Sequence, residues 1–186
     1  MLKGLRIRIC DHTDINDHFL TKLSSMINQV FLVAEAEIWN DNHQRISNKN
    51  ITYLINKGEI MVAELNNELA ACVWIKLLNP QIAKFGMLTV APLHKGKKLG
   101  SLMVNEVEKY ALAKGRIKMR LELLMPKDTA HPGKKFLLNW YTRIGYHFLE
   151  KLEFEEVEPK ETDNLRIPCF FNLYEKDLLL KETRPS

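Results

Sequence analysis

The stretch VAPLHKGKKLGSLMVNEVEKYA, residues 90–111, joins a run typical of a β-strand to a run typical of an α-helix. The turn between them combines glycine with dense positive charge: His94, Lys95, Gly96, Lys97, Lys98 and Gly100. Backbone N–H groups at a helix start lack helical partners, and glycine lets an anion approach them closely. The helix dipole and the lysines favour a pyrophosphate over a neutral ligand. The turn is therefore predicted to bind phosphate, with an ordinary solvated basic loop as the alternative.

Two other phosphate-binding motifs are missing from the sequence. It contains no GxxxxGK[ST], so a P-loop nucleotide site is not supported. It contains no GxGxxG either, so the dinucleotide-binding fingerprint is absent as well.

Hydrophobic periodicity in the N-terminal half predicts a strand, two helices and a hairpin. Residues 5–10 alternate apolar and basic side chains as a half-buried strand does, and Thr13 or Asp14 is predicted to cap the helix that follows. Ser47 is predicted to cap a short second helix that ends at Gly58. Asn66-Asn67 joins two β-prone runs, which is a hairpin signal. The polar segment around Trp39 is predicted to be an exposed connection.

The C-terminal half continues with strands that alternate with helices. Further β-prone runs lie at residues 82–90, 117–123, 146–154 and 168–175. The whole order is then β α α β β β α β α β β, a mixed α/β or α+β pattern. The strands on either side of the helix that follows the glycine-lysine turn should be parallel, because a helical crossover joins them. The charged segment 155–164 is predicted to be a loop or a hairpin arm.

The glycine-lysine turn resembles the acetyl-CoA motif of the GNAT superfamily of N-acetyltransferases. That motif is Q/R-x-x-G-x-G/A after a strand ending in V-x-P, and this chain reads V-x-P-x-x-K-G-K-K-L-G from Val90 to Gly100. Gly100 stands at the last motif position, and Gly96 matches a common additional glycine. Lys95 replaces the usual Gln or Arg with a point charge that cannot fork as Arg does. Lys98 replaces the first motif glycine, so its side chain is expected to turn outward.

A second segment, WYTRIGY at residues 140–146, is similar to the Y-x-x-x-G-F/Y signature of the same superfamily. The resemblance aligns Tyr141 with the tyrosine that faces the CoA sulfur, and it places Gly145 and Tyr146 at the start of the next strand. Lys134 stands where the superfamily often has an asparagine. The element order agrees with the superfamily fold from about Leu5 to Tyr174.

The resemblance implies a fold and a cofactor. The fold class is α+β (mixed α/β): a GNAT-like, mostly antiparallel central sheet of about seven strands flanked by helices, with one parallel pair at the cofactor turn. The chain is predicted to be one N-acetyltransferase domain, residues 1–186, with a core over about 5–176 and a short C-terminal tail. The implied cosubstrate is acetyl-CoA. The residues predicted to bind it are Leu88, Thr89, Val90, Lys95, Gly96, Lys97, Lys98, Leu99, Gly100 and Ser101.

The resemblance also implies direct transfer of the acetyl group to a primary amine. Backbone N–H groups at residues 88–90 would polarise the thioester carbonyl, and Tyr141 would protonate the leaving thiolate. Glu122 is the first candidate for the general base, because it points away from the apolar face of its strand. The alternatives for Glu122 are solvation or an ion pair with Arg120 or Lys118.

The acceptor is predicted to be a small amine or amino-acid-like metabolite, because no appended recognition domain is evident. Glu35 and Glu37, near the end of the first helix, could bind a cationic acceptor or simply decorate a loop. Acetylation of a protein is the second possibility. A non-catalytic acyl-CoA-binding regulatory module is the alternative outside the enzyme class, because Lys98 occupies a glycine position and no base is clearly marked.

Composition argues against several other classes of protein. A net charge of +4 on 186 residues is mild and dispersed, so it does not indicate nucleic-acid binding. The cysteines are far apart, without CxxC spacing, and predict reduced buried thiols in a cytoplasmic protein. No apolar run approaches bilayer length, so no membrane association is expected. The six histidines lack ligand spacing, which predicts no metal. We expect a monomer or a homodimer.

Overall fold

The structure, a computed structural model, describes residues 2–41 and 43–179. Within these residues seven strands form one sheet in the order β1-β2-β3-β4-β5-β7-β6. The strands are β1 Leu5–Ile9, β2 Ile60–Leu65, β3 Glu68–Leu77, β4 Ile82–Val90, β5 Lys118–Pro126, β6 His147–Glu153 and β7 Cys169–Asp177. The helices are α1 Asp17–Ala34, α2 Asn48–Asn56, α3 Leu99–Ala113, α4 Pro132–Arg143 and α5 Phe154–Val157.

The sheet is mostly antiparallel, as predicted. Only β4 and β5 are parallel, and α3 connects them. The predicted hairpin between β2 and β3 is also confirmed: Asn66 and Asn67 have φ values of 51° and 65°. Asparagine tolerates this left-handed region better than most residues, which is why the turn can be this short. The Ser47 hydroxyl caps α2 by accepting from the Asn50 N–H at 3.2 Å, and Gly58 follows that helix at φ 66°.

The predicted cap of α1 was wrong. Asn16 is the N-cap, and its side chain accepts a hydrogen bond from the Phe19 N–H at 3.0 Å. Thr13 and Asp14 lie instead in a short 3₁₀ turn before the helix. The Asp14 carboxylate is taken by the Arg8 guanidinium in a two-point contact of 2.6 and 2.7 Å. Asp14 thus binds a side chain six residues before it and also accepts from the Asp11 N–H, so it caps the 3₁₀ turn and not α1.

The connection after α1 was predicted to be exposed, but it buries Ile38 and Trp39. The charged segment 155–164, predicted to be a loop or a hairpin arm, begins inside α5 and continues as a 3₁₀ turn, and none of its residues is buried. The connection and Phe154, at the start of α5, pack on one face of β5 and β7. The cluster they form consists of Ile38, Trp39, Leu124, Phe154, Cys169 and Phe171. In the sequence, the large apolar residues Ile38 and Trp39 were the signal that the connection after α1 is partly buried.

Helices cover both faces of the sheet. On one face α3 and α4 pack over the centre of the sheet in the largest apolar cluster, which includes Phe85, Met103 and Tyr141. On the other face α1 and α2 pack over β2 and β3, where Ile60 and Cys72 are buried. All three cysteines, Cys10, Cys72 and Cys169, are free and buried, as predicted.

The central feature for function is a gap between the two parallel strands. β4 and β5 pair only between Ile82–Lys84 and Lys118–Arg120, and then they diverge. A register shift on the β3 side of β4 occurs at the same level, where Met87 has φ 52°. A bulge re-aims the strand that carries it. The sheet is therefore open between the C-terminal halves of β4 and β5, and the glycine-lysine turn follows β4 at this end.

Candidate active site

The glycine-lysine turn exposes a row of backbone N–H groups. The first hydrogen bond of α3 runs from the Leu102 N–H to the Lys98 carbonyl at 3.1 Å, so the N–H groups of Leu99, Gly100 and Ser101 precede the helical ladder. Gly96 has φ 81°, and Lys98, the N-cap, has φ 60°. The left-handed backbone at Lys98 gives the physical reason for a glycine in the motif. Lys95, Lys97 and Lys98 are all exposed and surround these N–H groups with positive charge.

Gly100 lies in the first turn of α3, close to the end of β4. A Cβ there would meet Trp140 Cη2 at 3.8 Å and Val90 Cγ2 at 3.9 Å, which is ordinary van der Waals contact. The fold itself would therefore accept a methyl group at this position.

A cavity of about 120 Å³ occupies the gap between β4 and β5. Its lining comes from both layers of helices as well as from the sheet. The residues that concern the chemistry are Glu35, Arg45, Leu88, Glu122, Lys134 and Tyr141. Of the three β4 positions predicted to polarise a carbonyl, only Leu88 lines this cavity; Thr89 is fully buried and pairs with Cys72 of β3. The Ala91 N–H bonds to Ala70 of β3, so alternation directs the N–H of Val90 toward the gap.

Tyr141 presents an unengaged hydroxyl to the cavity. The side chain is 6% exposed, and its ring packs 6.0 Å from Phe85 and 5.9 Å from Tyr146, centroid to centroid. Nothing in residues 2–41 and 43–179 hydrogen-bonds to its hydroxyl. Burial raises the pKa of Tyr141, so the phenol stays protonated at neutral pH. The hydroxyl can therefore donate to a group bound in the cavity.

Tyr146, the other tyrosine of the signature, has a different environment. Its hydroxyl donates to Glu108 Oε1 at 2.7 Å, and Lys176 contacts the same carboxylate at 3.1 Å. Burial and the Glu108 charge raise the pKa of Tyr146. This tyrosine holds α3 against the sheet and has no free donor for a ligand.

Glu122 lies across the mouth of the gap from Lys84. The Lys84 Nζ and Glu122 Oε1 atoms are 2.6 Å apart, and the two side chains are 21% and 18% exposed. The partners that the sequence suggested, Lys118 and Arg120, bind Glu175 of β7 instead, at 2.6 and 2.7 Å. Because β4 and β5 are neighbours in the sheet, Glu122 pairs with Lys84, which lies 38 residues before it in the sequence. The carboxylate faces the cavity and keeps access to water.

Glu35 is buried in an ion pair with Lys134 of α4. Lys134 Nζ contacts Glu35 Oε1, and the Trp39 indole N–H donates to Oε2 at 2.6 Å. Burial by itself would raise the pKa of Glu35, but the charges of Lys134 and Arg45 outweigh it and hold that pKa below its usual value. Both oxygens of Glu35 are therefore engaged. Glu37, the other predicted acceptor-binding residue, is exposed on the turn that follows α1 and lines none of the cavities described here.

Two larger cavities, of about 360 and 350 Å³, flank the gap on the side of α1 and its connection to α2. Both are lined by Trp39, His43 and Arg45, and the Trp39 and His43 rings stack at 4.1 Å. Burial lowers the pKa of His43, so its imidazole is mostly neutral at pH 7. Arg45 lines all three cavities. Sequence reasoning did not find Arg45, because it lies in a connection without a recognisable motif.

Other kinds of site find no support in the described part of the chain. No group of three or more His, Cys, Asp or Glu side chains there is arranged to hold a metal ion. No helix among those residues has the length and apolar character needed to cross a bilayer.

Comparison with known proteins agrees with this geometry. The sequence profile of the acetyltransferase (GNAT) family matches residues 24–146. No curated protein is detectably similar to the chain in sequence. Among solved structures, the PaiA N-acetyltransferase of Thermoplasma acidophilum in complex with coenzyme A is 16% identical, with a TM-score of 0.69 over 93% of this chain and 98% of that one. An aminoglycoside 6′-N-acetyltransferase complexed with coenzyme A is 15% identical, with a TM-score of 0.66 over 97% and 99%. The ribosomal-protein-S18-alanine N-acetyltransferase of Escherichia coli is 12% identical, with a TM-score of 0.62 over 98% and 99%.

Proposed function

Because the chain belongs to the acetyltransferase (GNAT) family, we propose that it transfers the acetyl group of acetyl-CoA directly to the primary amine of a small, amino-acid-like metabolite. The observation that carries the proposal is that the free Tyr141 hydroxyl and the Glu122 carboxylate line one cavity. That cavity lies in the gap between β4 and β5. The same cavity therefore contains a base for the attacking amine and an acid for the leaving thiolate.

The glycine-lysine turn has the features needed to hold the pyrophosphate of acetyl-CoA. The N–H groups of Leu99, Gly100 and Ser101 have no helical acceptor, and three exposed lysines surround them. Lys98 adopts, at the position of the motif glycine, the left-handed backbone that glycine adopts most easily, and its side chain is exposed. Two of the similar solved structures contain coenzyme A, which supports the same assignment here. The bound acetyl-CoA would supply the thioester that is cleaved.

The proton transfers follow from the groups that line the gap. An amine is mostly protonated at neutral pH, so Glu122, directly or through a water molecule, removes a proton before the nitrogen attacks the carbonyl carbon. The β4 backbone N–H groups that face the gap stabilise the charge that develops on the carbonyl oxygen. When the carbon–sulfur bond breaks, Tyr141 donates its proton to the thiolate. Solvent restores the proton to Tyr141 and removes the one on Glu122.

Direct attack fits the cysteines better than a covalent acetyl-enzyme does. Burial raises the pKa of Cys72 to about 12 and that of Cys169 to about 11, and Cys10 is raised as well. Buried thiols with raised pKa values are poor nucleophiles. None of the three cysteines lines the cavities described here.

The test is calorimetric titration with acetyl-CoA, followed by turnover measured as release of free thiol in a panel of amines and peptides. Tyr141→Phe should keep the affinity for acetyl-CoA and lower kcat by about 100-fold, because general acid catalysis contributes roughly that much or more. The matched control is Tyr53→Phe, which removes the hydroxyl of an exposed tyrosine on α2.

Four results would change the assignment. Unchanged turnover in Tyr141→Phe removes this residue from the mechanism. Binding of acetyl-CoA without turnover of any amine favours the non-catalytic module, while preference for peptides over free amines favours a protein acceptor. Absence of acetyl-CoA binding overturns the proposal.

A further inference from the structure

Arg45 occupies the meeting point of the cavities around the gap. It lies between α1 and α2 and is an exposed residue, yet it lines the cavity in the gap and both cavities that flank it. Glu122 lines two of the same three cavities. A ligand in this space would therefore meet a guanidinium on one side and the proposed general base on the other.

The backbone beside Arg45 is fixed to α1. The Asn28 side chain accepts from the Ile46 N–H at 3.0 Å and donates to the Ile46 carbonyl at 2.9 Å. The Arg45 guanidinium lies 5.0 Å from the centroid of the Phe31 ring, also on α1. These contacts restrict the conformations that Arg45 can adopt before any ligand binds, which lowers the entropic cost of binding.

Arg45 differs from the other cations that line these cavities. Lys134 is paired with Glu35, Lys84 with Glu122, and Arg166 with Asp41. Across residues 2–41 and 43–179, no carboxylate forms an ion pair with Arg45. Its charge helps to lower the pKa of Glu35, but both oxygens of Glu35 are already bonded to Lys134 and Trp39. A planar guanidinium with five N–H donors therefore faces the cavities without an acidic protein partner.

We propose that Arg45 binds a carboxylate of the acceptor, so that the substrate is an amino acid or another amine that carries a carboxylate. The inference rests on the proposed acetyl transfer and specifies its acceptor. Guanidinium and carboxylate groups match in a two-point, charge-assisted hydrogen bond, which an ammonium or a neutral amide cannot reproduce. With Glu122 facing the amine, the cavity matches a zwitterion and selects against polyamines.

The CoA phosphates are a poorer explanation for the free guanidinium. The three cavities lined by Arg45 include no residue of the turn between Ala91 and Ser101. Loss of Arg45 should therefore affect the acceptor and leave the affinity for acetyl-CoA unchanged.

The experiment compares free amino acids with the matching amino-acid amides, which keep the amine and replace the carboxylate. Both series are titrated by calorimetry against the protein with coenzyme A present, and both are then assayed as acceptors with acetyl-CoA. Arg45→Gln is the test variant and Arg45→Lys keeps the charge without the fork. Arg166→Gln is the matched control, because it removes a cation from the same region that is already paired with Asp41.

We expect the wild-type protein to bind and acetylate at least one amino acid about 10- to 100-fold better than its amide, the range for a charge-assisted hydrogen bond. Arg45→Gln should abolish that preference by raising KM while kcat changes little. Arg45→Lys should restore part of it, and Arg166→Gln should retain it.

Two results would overturn the inference: equal affinity and kcat/KM for amino acids and amides in the wild type, or an undiminished preference in Arg45→Gln. Failure of the proposed acetyl transfer has a different signature, namely no thiol release with any amine. In that case the calorimetric titrations still test the carboxylate site. Tighter binding of amino acids than of their amides would support it, and equal binding would overturn it.

Discussion

Two lysine–glutamate pairs border the same gap, and they have different environments. Lys134 and Glu35 join α4 to the end of α1, and their side chains are only 5% and 6% exposed. Lys84 and Glu122 join β4 to β5 at the mouth of the gap, with 21% and 18% exposure. The residue types are identical, but the pairs differ in burial and in the additional hydrogen bond that Glu35 accepts from Trp39.

The difference indicates which carboxylate can take part in proton transfer. Glu35 is held ionised by its partners, which keep its pKa low, and each of its oxygens already accepts a hydrogen bond. Glu122 has one lysine partner, faces the cavity and reaches water. A buried pair of this kind is costly to break, whereas a partly exposed pair adds little stability. We therefore interpret Lys134–Glu35 as structural and Glu122 as the residue available for catalysis.

The largest expected effect tests the structural side of this comparison. Lys134→Met should lower the free energy of unfolding by about 3–5 kcal/mol, because it leaves the Glu35 carboxylate buried without its cation. The measurement is urea denaturation at pH 7. Unfolding unchanged to within about 1 kcal/mol would contradict the structural role, since only exposed pairs are worth so little.

The pH dependence of stability gives a second test with the same variant. Since the folded-state pKa of Glu35 is lowered, its contribution to stability is present above the pKa of an unfolded Glu, about 4.3, and is lost as the pH falls further. Without Lys134 the buried carboxylate gains by taking a proton. The stability difference between wild type and Lys134→Met should therefore narrow as the pH is lowered from 7 to 4.

The second effect tests the catalytic side. Glu122→Gln should reduce kcat/KM by about 100-fold at neutral pH with little change in stability, because the amide cannot accept the proton of the amine. Glu175→Gln is the matched control: it removes a partly buried carboxylate that binds two cations outside the cavities. Equal losses of activity in the two variants would mean that charge near the sheet matters and that Glu122 has no special role.

The smallest expected effect concerns the lysine at the mouth of the gap. Lys84→Met should change the free energy of unfolding by no more than about 1 kcal/mol, as for other solvent-accessible ion pairs. When both variants are measured under the same conditions, their losses in free energy of unfolding show how much each ion pair contributes to stability. A loss comparable to that of Lys134→Met would remove the distinction on which the assignment of Glu122 depends.

Much of the fold could be predicted because its signals are local. Alternating side chains, the cap at Ser47 and the Asn66-Asn67 turn depend on neighbours a few residues apart, and each was confirmed. The errors came where groups outside the predicted element compete. Arg8 of β1 binds the Asp14 carboxylate, which caps a 3₁₀ turn and not α1. β5 and β7 bury Trp39 in a connection that looked exposed.

By itself the sequence determined the order of the elements, the parallel crossover and the family, because the glycine-lysine turn and the tyrosine segment each have a fixed local geometry. Only the tertiary structure decided which charges are paired. Parallel strands bring Lys84 and Glu122 together. The packing of α4 against the end of α1 brings together Lys134 and Glu35, which are 99 residues apart in the sequence. It also left Arg45 with an unpaired guanidinium in the described part of the chain. Charge pairing depends on distance in space and on burial, and neither is encoded in spacing along the sequence.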